Sequence, residues 1–358
     1  MRFGALFISV LIVLGFSMPG FAQPFAYITN VIDDTVSVID TATNTVIDTI
    51  IVGDRPIPVA VSPDGTRVYV GNNDDDTVSV IDTSTNTVID TVNVGDGPIG
   101  MAVTPDNTRV YVANGDDDTV SVIDTSTNTV IDTVNVGDGP AGVAVTPGNT
   151  RVYVGNFSDN TVSVIDTSTN TVIDTVNVGM QPTGVAVTPD NTRVYVANAD
   201  DDTVSVIDTS TNNVIDTINV GGVPVGGVAV SPNGTRVYVP NALDGTVSVI
   251  DTSTNTVIDT VNVGMEPLGV DVTPDSARVY VANASDNTVS VIDTSTNTVI
   301  DTINVGDRPV AFGLFITQGS ERGPNPIPTM SEWGFITFAA LILLSGIWNI
   351  RRRNPVRT

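Results

Sequence analysis

The sequence predicts an all-β protein, a seven-bladed β-propeller with four antiparallel strands in each blade. The first observation is a repeat: all seven tyrosines recur at spacings of 42, 42, 42, 42, 43 and 42 residues. The second is the content of each unit, which holds four short β-rich runs separated by turn residues and no helical pattern. The tyrosines are Tyr27, Tyr69, Tyr111, Tyr153, Tyr195, Tyr238 and Tyr280.

The third observation is a half-unit at each end of the array. The first unit starts at the run that contains Tyr27, and the array ends with the lone run 310–316. In the second unit the runs are 57–62, 67–71, 77–82 and 87–94, which we name strands A to D from the axis outward. Run 310–316 resembles strand A, so it is predicted to complete the first blade and to close the ring over residues 24–317.

Side-chain size along a blade follows the shape of a wedge. Strand A is small and rich in glycine, as at residues 100–103 and 142–145, whereas strands B and C carry β-branched and aromatic side chains. Strand D is the exposed edge, and one aspartate in each is predicted to discourage pairing with another molecule. These aspartates are Asp48, Asp90, Asp132, Asp174, Asp216, Asp259 and Asp301.

The strings Val-Tyr-Val-Ala-Asn at residues 110–114 and Thr-Val-Ser-Val-Ile-Asp at residues 119–124 recur in every unit with small changes. They resemble the YVTN-type β-propeller repeat. The resemblance implies kinship with surface-layer and secreted bacterial proteins, and more distantly with lactonase and cytochrome-d1-type propellers. The haem- and copper-binding relatives use histidines, which this chain lacks.

Both ends of the chain are predicted to be targeting segments. Residues 1–22 have the basic start, apolar run and small residues of a secretory signal, which signal peptidase would cut before Gln23. Residues 318–326 are predicted to be a linker. The last segment, residues 327–358, joins an apolar stretch at 333–350, about 27 Å long as a helix, to three arginines at 351–353.

That last segment closely resembles the IPTL-CTERM sorting signal of Gram-negative bacteria. The motif residues are Ile327, Pro328, Thr329, Met330, Ser331, Glu332, Trp333 and Gly334, with Met330 where the family usually has leucine. The resemblance implies processing by an exosortase-type protease and delivery to the cell envelope, outer surface or extracellular matrix, after at least transient anchoring in the inner membrane. The alternative is a single membrane anchor that stays uncut.

Composition narrows the chemistry. The chain has 37 Asp, 3 Glu and 14 Arg, with no Lys, His or Cys. Thiol nucleophiles, Schiff-base lysines and imidazole bases or ligands are therefore excluded, and an enzyme is disfavoured. The acidic balance also disfavours nucleic acid, which needs a basic surface. At the start of strand B, Arg67, Arg109, Arg151, Arg193, Arg236 and Arg278 are predicted to pair across the hairpin with an aspartate ending strand C; an anion-binding arginine ring is the alternative.

Antiparallel strands place the B–C and D–A turns on one face, which we call the top, and the A–B and C–D turns on the bottom. The top is predicted to be strongly acidic, with three aspartate triplets: Asp74, Asp75 and Asp76; Asp116, Asp117 and Asp118; Asp200, Asp201 and Asp202. Dense carboxylates suit Ca²⁺ or a basic partner, although no Asp-x-Asp-x-Asp-Gly loop is present. Solvated turn residues are the plainer interpretation.

Positions that depart from the repeat are the candidate binding residues at the channel mouth. They are Arg55, Met180, Gln181, Met265, Glu266 and Arg308, with Phe157 in one top turn. Asp271 stands in strand A where other units have alanine, and is predicted to reach channel water or a ligand. One unit also has a single extra residue within 221–227. Loop drift explains such departures equally well.

The predicted function is a noncatalytic secreted or cell-surface scaffold for adhesion, matrix assembly or ligand binding, with an extracellular protein or a glycan as partner. A lactonase-like hydrolase that uses channel carboxylates and a bound divalent metal is the alternative. Sugar binding is weakened because both tryptophans, Trp333 and Trp348, lie in the predicted tail.

Overall fold

The computed structural model describes residues 24–318, which form seven antiparallel sheets arranged as a seven-bladed β-propeller. These residues make one compact unit. The predicted signal peptide, the linker from residue 319 onward, the sorting motif and the predicted membrane helix lie outside the described residues. Within the part of the chain that the structure describes, no helix has the length and hydrophobicity to span a membrane.

The predicted four-strand unit is confirmed, with strand ends that differ from the predicted ones by a residue. Blade 1 contains β1 (Phe25–Asn30), β2 (Thr35–Asp40) and β3 (Thr45–Ile51); blade 2 contains β4 (Pro56–Val61), β5 (Arg67–Asn72), β6 (Thr77–Asp82) and β7 (Thr87–Asn93). Blade 3 contains β8 (Pro98–Val103), β9 (Arg109–Asn114), β10 (Thr119–Asp124) and β11 (Thr129–Asn135); blade 4 contains β12 (Pro140–Val145), β13 (Arg151–Asn156), β14 (Thr161–Asp166) and β15 (Thr171–Asn177).

The remaining blades follow the same order. Blade 5 contains β16 (Pro182–Val187), β17 (Arg193–Asn198), β18 (Thr203–Asp208) and β19 (Asn213–Asn219); blade 6 contains β20 (Ala229–Val230), β21 (Arg236–Asn241), β22 (Thr246–Asp251) and β23 (Thr256–Asn262). Blade 7 contains β24 (Pro267–Val272), β25 (Arg278–Asn283), β26 (Thr288–Asp293) and β27 (Thr298–Asn304). Each strand pairs with its neighbour in sequence, so every blade is a simple meander.

The ring is closed by residues 309–317, which we call the closing segment. It lies antiparallel to β1, with bridges from Asn30 to Pro309 and from Ala26 to Ile316. The Tyr27 amide donates to the Phe315 carbonyl at 2.9 Å, and the Thr317 amide donates to the Phe25 carbonyl at 2.9 Å. The predicted closure is thereby confirmed, and the closing segment is strand A of blade 1.

Adjacent blades pack most tightly near the axis, as the wedge shape requires. A Cβ atom on Gly142 would lie 2.0 Å from the Thr183 carbonyl oxygen of the next blade, so no larger residue fits there. Farther out, the core consists of clusters shared by neighbouring blades, such as buried Tyr111, Val122 and Val152. Burial of these apolar side chains stabilises each blade against the next.

On the bottom, the structure corrects the predicted arginine–aspartate pairs. The register is as predicted, because Arg109 lies opposite Asp124. However, the Arg109 guanidinium donates to the next blade, to the Thr167 carbonyl at 2.6 Å and to Asn170 Oδ1 at 3.3 Å. Asp124 instead accepts from the hydroxyl and amide of Ser126, and the hydroxyl is the main reason that the pKa of Asp124 is lowered. The prediction was wrong because a cross-strand register does not fix where a long side chain ends.

The strand D aspartates connect blades as well. Asn170, in the C–D turn of blade 4, accepts a hydrogen bond from the Tyr111 hydroxyl of blade 3 at 2.9 Å and donates to Asp132 Oδ2 of blade 3 at 3.0 Å. We call this arrangement the latch. The asparagine-to-aspartate bond recurs at all seven interfaces with distances of 2.9–3.1 Å, including Asn44 to Asp301 across the ring closure.

A β-bulge in every strand D places the aspartate of the latch. In blade 3, Val122 pairs with Asp132 and Ile123 pairs with Val130, which leaves Ile131 unpaired. The bulge lets Asp132 Oδ1 accept the Thr133 amide at 2.9 Å while Oδ2 reaches the next blade. Bulged edges resist pairing with a second molecule, so the predicted protection of the edge gains a backbone component.

Candidate functional site at the top of the channel

Most carboxylates of the top face hold loops rather than face solvent freely. The third residue of each B–C turn is an aspartate that accepts the backbone amide of the D–A loop leading into its own blade, as Asp117 does from Asp96 at 2.8 Å. All seven blades repeat this bond, through Asp33, Asp75, Asp117, Asp159, Asp201, Asp244 and Asp286. The large number of aspartates on the top face therefore follows in part from the need to hold a D–A loop in every blade.

The fourth turn residue makes a similar bond to the next blade. Asp76 Oδ1 accepts the Gly97 amide at 2.9 Å, and Asp118 Oδ1 accepts the Gly139 amide at 2.9 Å. In each predicted metal triplet, the second and third aspartates are thus occupied by backbone donors. Across residues 24–318, no group of three or more acidic side chains is arranged to hold a metal ion, so the calcium prediction gains no support.

The first aspartate of the triplet in blade 2, Asp74, pairs with a side chain and not with a backbone amide. It forms an ion pair with Arg55 at 3.1 Å, and both side chains are about half exposed. A second ion pair joins Arg308 and Glu266 at 3.1 Å. Elsewhere the carboxylates repel one another: Asp117 and then Asp76 raise the pKa of Asp96, and Asp34 is the main cause of the raised pKa of Asp54.

A cavity of about 470 Å³ opens within this acidic rim, and we call it the axial cavity. Inner strands and top loops of blades 2 to 6 and the closing segment form its wall. The wall is largely apolar or backbone, with Ile99, Met101, Phe157 and Phe312 as its large side chains, and Arg55 and Asp116 as its charged ones. A mostly apolar concave site with few polar groups is the usual form of a small-molecule site.

A second apolar cavity of about 440 Å³ adjoins the first one beside blade 1. Ile32, Leu268 and Val310 line it, together with Arg55 and Arg308. Arg55, Ile99 and Phe312 line both cavities. The two cavities therefore form one mostly apolar surface at the channel mouth, and Arg55 lies where they adjoin.

The wall contributed by blade 6 comes from the extra residue noted in the repeat. The inner strand of this blade is shortened to β20, whereas the inner strands of blades 2 to 5 and 7 have six residues. Residues 225–228 leave the strand pairing and line the axial cavity instead. The Thr183 hydroxyl fixes this segment by donating to the Pro224 carbonyl at 3.2 Å.

The structure brings some of the predicted binding residues together and separates others. Arg55 lines both cavities, Arg308 lines the second, and Phe157 lines the axial cavity. The remaining predicted binding residues, Met180, Gln181, Met265 and Glu266, lie on the rim and line neither cavity.

The predicted position of Asp271 needs correction. This residue is buried and lines neither cavity, and its carboxylate Oδ2 accepts the backbone amides of Phe315 and Ile316, both at 2.8 Å. The aspartate therefore anchors the closing segment to blade 7. Burial raises the pKa of Asp271 to about 7, although the amides of Ile316, Val272 and Phe315 oppose that shift.

Sequence reasoning missed most of the cavity wall. Met101 and Thr183 belong to inner strands, and Phe312 belongs to the closing segment. When the seven repeats are compared, the residues at these positions do not stand out from the other differences between blades. The extra residue in blade 6 was the available signal. For the hydrolase alternative, the structure supplies one carboxylate, Asp116, among the residues that line the axial cavity, and no observation favours that activity.

Comparison with known proteins agrees with the fold. Residues 58–148, 138–226 and 224–311 match the YNCE-like beta-propeller family. Hydrazine synthase of Kuenenia stuttgartiensis is similar in structure, with a TM-score of 0.69 and 23% sequence identity over 79% of this chain and 99% of that chain. A functionally unknown protein from Desulfotomaculum acetoxidans has a TM-score of 0.70 and 18% identity over 81% of this chain and 99% of that chain. No curated protein matches the sequence.

Proposed function

This chain belongs to the YNCE-like beta-propeller family, whose model matches residues 58–311, and we propose that it is a noncatalytic binding protein of the cell surface. It holds a small ligand in the axial cavity, and the rest of the ring is a rigid frame. The proposal concerns this chain's own site, since a shared propeller fold does not carry an activity from one protein to another.

The observation that supports this function best is the location of the departures from the repeat. Arg55, Phe157 and residues 225–228, which precede the shortened inner strand of blade 6, all border the axial cavity. On the opposite face, the asparagine-to-aspartate bond of the latch recurs at all seven interfaces. Several departures from the repeat that border one cavity are expected where a ligand, and not the fold, sets the side chains.

The path of the chain supports display of this cavity away from a membrane. Pro24 and Thr317 both lie at the bottom, where the Pro24 carbonyl accepts the Thr41 hydroxyl at 2.6 Å and Thr317 pairs with Phe25. The predicted sorting signal follows Thr317 in sequence. A chain anchored through that signal would present its bottom to the membrane and its top to the surroundings.

Export and sorting form a separate part of the proposal. Signal peptidase would remove residues 1–22, and an exosortase-type protease would act near residues 327–334 before release to the surface or matrix. Epitope tags after residue 23 and at residue 358 test this on membrane-fraction blots. Separation of the two tags is expected, and co-migration in one mature species would favour the uncut anchor.

Occupancy of the cavity is tested with an uncharged apolar probe, 1-naphthalenemethanol, titrated into protein purified after expression of the full chain. Ala141 lines the axial cavity, so Ala141→Trp is expected to fill it and to weaken binding at least about tenfold. The matched control is Ala42→Trp, in an exposed turn of the bottom face, which should bind as the wild type does. Absence of binding by the wild type, or equal binding by Ala141→Trp, contradicts the proposal.

A further inference from the structure

The blades provide an internal template for a charged contact at the cavity mouth. In blades 2, 3 and 7, the last residue of the D–A loop directly precedes the proline that begins strand A. This residue faces the second residue of the B–C turn in the same blade. In blade 2 these residues are Arg55 and Asp74, which form an ion pair at 3.1 Å. In blade 7 they are Glu266 and Ser285, which form a hydrogen bond at 2.6 Å.

Blade 3 has the carboxylate of this pair without the cation. Its residues are Gly97 and Asp116, and a Cβ atom on Gly97 would lie 2.7 Å from Asp116 Oδ2, so the two positions face each other as in blade 2. Asp116 is exposed and makes no ion pair within residues 24–318. In blade 3 the Asp116 carboxylate therefore lies directly against Gly97, and no cation of this blade pairs with it within residues 24–318.

The Asp116 carboxylate borders the axial cavity. Gly97, Asp116 and Ile99 all line this cavity, and Met101 and Phe157 extend its apolar wall. Asp200, the corresponding aspartate of blade 5, lines neither cavity. Among the three triplets, blade 3 alone thus combines an unpaired first carboxylate with an adjoining apolar space.

The local field favours a positive charge at this place. Asp117, Asp76 and Asp116 all raise the pKa of Asp96, which reports a negative potential around blade 3. Arg55, the cation of the axial cavity, is already paired with Asp74. An anionic ligand would meet this potential unfavourably, whereas a cation would replace the missing guanidinium.

Taking the proposed binding function as a basis, we propose that the ligand of the axial cavity is an apolar organic cation. Its ammonium or guanidinium group pairs with Asp116 as Arg55 pairs with Asp74, and its apolar body lies against Ile99, Met101 and Phe157. Because Gly97 has no side chain, blade 3 supplies no internal cation to Asp116 at the position that Arg55 occupies in blade 2.

The test uses three probes with the same ring system and different charge: 1-naphthylmethylamine, 1-naphthalenemethanol and 1-naphthoate. Binding to the purified full-chain product is measured by fluorescence titration at low salt. The amine is expected to bind about tenfold more tightly than the alcohol, and the naphthoate more weakly than either. The preference should shrink as salt is raised.

Two variants are directed at the contact itself. Asp116→Asn removes the charge, and Gly97→Arg supplies an internal cation in the backbone conformation that Arg55 already adopts, with φ of 67° at Gly97 and 54° at Arg55. Both should reduce amine affinity to that of the alcohol. The matched control is Asp200→Asn, which removes one charge from the same turn position of blade 5 and should keep the preference for the amine.

The outcomes separate this inference from the function on which it rests. Loss of the amine preference in Asp116→Asn and Gly97→Arg, but not in Asp200→Asn, supports the Asp116 contact. Equal binding of amine and alcohol, or an amine preference that Asp116→Asn leaves intact, overturns the cation inference while binding of the alcohol still supports the cavity. Failure of all three probes to bind overturns both.

Discussion

The bottom and the top of this propeller use aspartate and asparagine in different ways. On the bottom, the asparagine of each C–D turn joins its blade to the preceding one, and the pattern runs around the ring with little change. On the top, one aspartate of each B–C turn accepts a backbone amide of the D–A loop. The D–A loop residue that follows this amide donor varies among Arg, Gly, Gln, Val and Glu.

This difference separates residues that the fold requires from residues that are free to vary between blades. A polar residue that is kept in every blade satisfies a backbone group or a neighbouring blade, and removing it should affect stability. A position that differs among blades at the same loop site has no such fixed partner. Arg55, Gly97 and Gly139 occupy one such position and border the axial cavity.

The largest expected effect comes from crowding at the axis. In Gly142→Ala the added Cβ atom would meet the Thr183 carbonyl oxygen at 2.0 Å, so the backbone of two blades must move. We expect a loss of about 4 kcal/mol or more in unfolding free energy, measured by denaturant titration monitored by circular dichroism. Gly148→Ala is the control in the same blade, because its nearest neighbour would lie at 4.0 Å. Equal stability of the two variants would refute the close approach of inner strands.

Asp271 should make stability depend on pH. Its pKa is raised to about 7 in the folded protein, so its contribution to stability is complete below the ordinary carboxyl pKa near 4 and is lost as pH rises through 7. Between pH 5 and pH 8 the loss should amount to about 2 kcal/mol relative to Asp271→Asn, which keeps an acceptor for the closing segment but does not ionise.

Melting temperatures of the wild type and Asp271→Asn across this pH range provide the measurement. The curves should converge at low pH and separate at high pH, with the variant more stable above pH 7. Parallel curves would show that the Asp271 carboxylate is not held in its neutral form by the fold.

A smaller effect is expected at the latch. Tyr111→Phe removes the hydroxyl that donates to Asn170, and should lower the unfolding free energy by about 1 kcal/mol. Tyr238→Phe is the matched comparison, since the Tyr238 hydroxyl is buried without a hydrogen-bond partner among residues 24–318. That variant should be as stable as the wild type or slightly more stable. A loss of the same size at both sites would mean that the hydroxyl bond contributes nothing specific.

The smallest effect on stability is expected at the top. Arg55→Gly removes an exposed ion pair, but it also removes a side chain from a backbone with φ of 54°, so the net change should stay within about 0.5 kcal/mol. The variant removes the positive charge that Arg55 contributes to the wall of the axial cavity. It should therefore raise the affinity for 1-naphthylmethylamine relative to that for 1-naphthalenemethanol. Weaker amine binding would indicate that Arg55 contacts the ligand directly.

Comparison of the repeats identified residues that differ from the other blades, but it did not show what those residues contact. Arg55 and Arg308 were found because they break a pattern at a loop position, and they do line the cavities. Asp271 breaks the pattern equally clearly, yet its carboxylate is turned to the amides of the closing segment. Departure from a repeat marks a changed environment, and whether that environment is a cavity or a buried contact depends on the neighbouring chain.

The sequence by itself determined the number of blades, the four strands of each blade, their register and the ring closure by the run 310–316, because strand periodicity and turn residues are local and are repeated seven times. Tertiary structure decided where long side chains end. Arg109 passes its cross-strand neighbour to reach the next blade, and residues 225–228 of blade 6 leave the strand pairing and line the same cavity as Asp116 of blade 3. Both depend on distances between blades, which the pattern within a single blade does not encode.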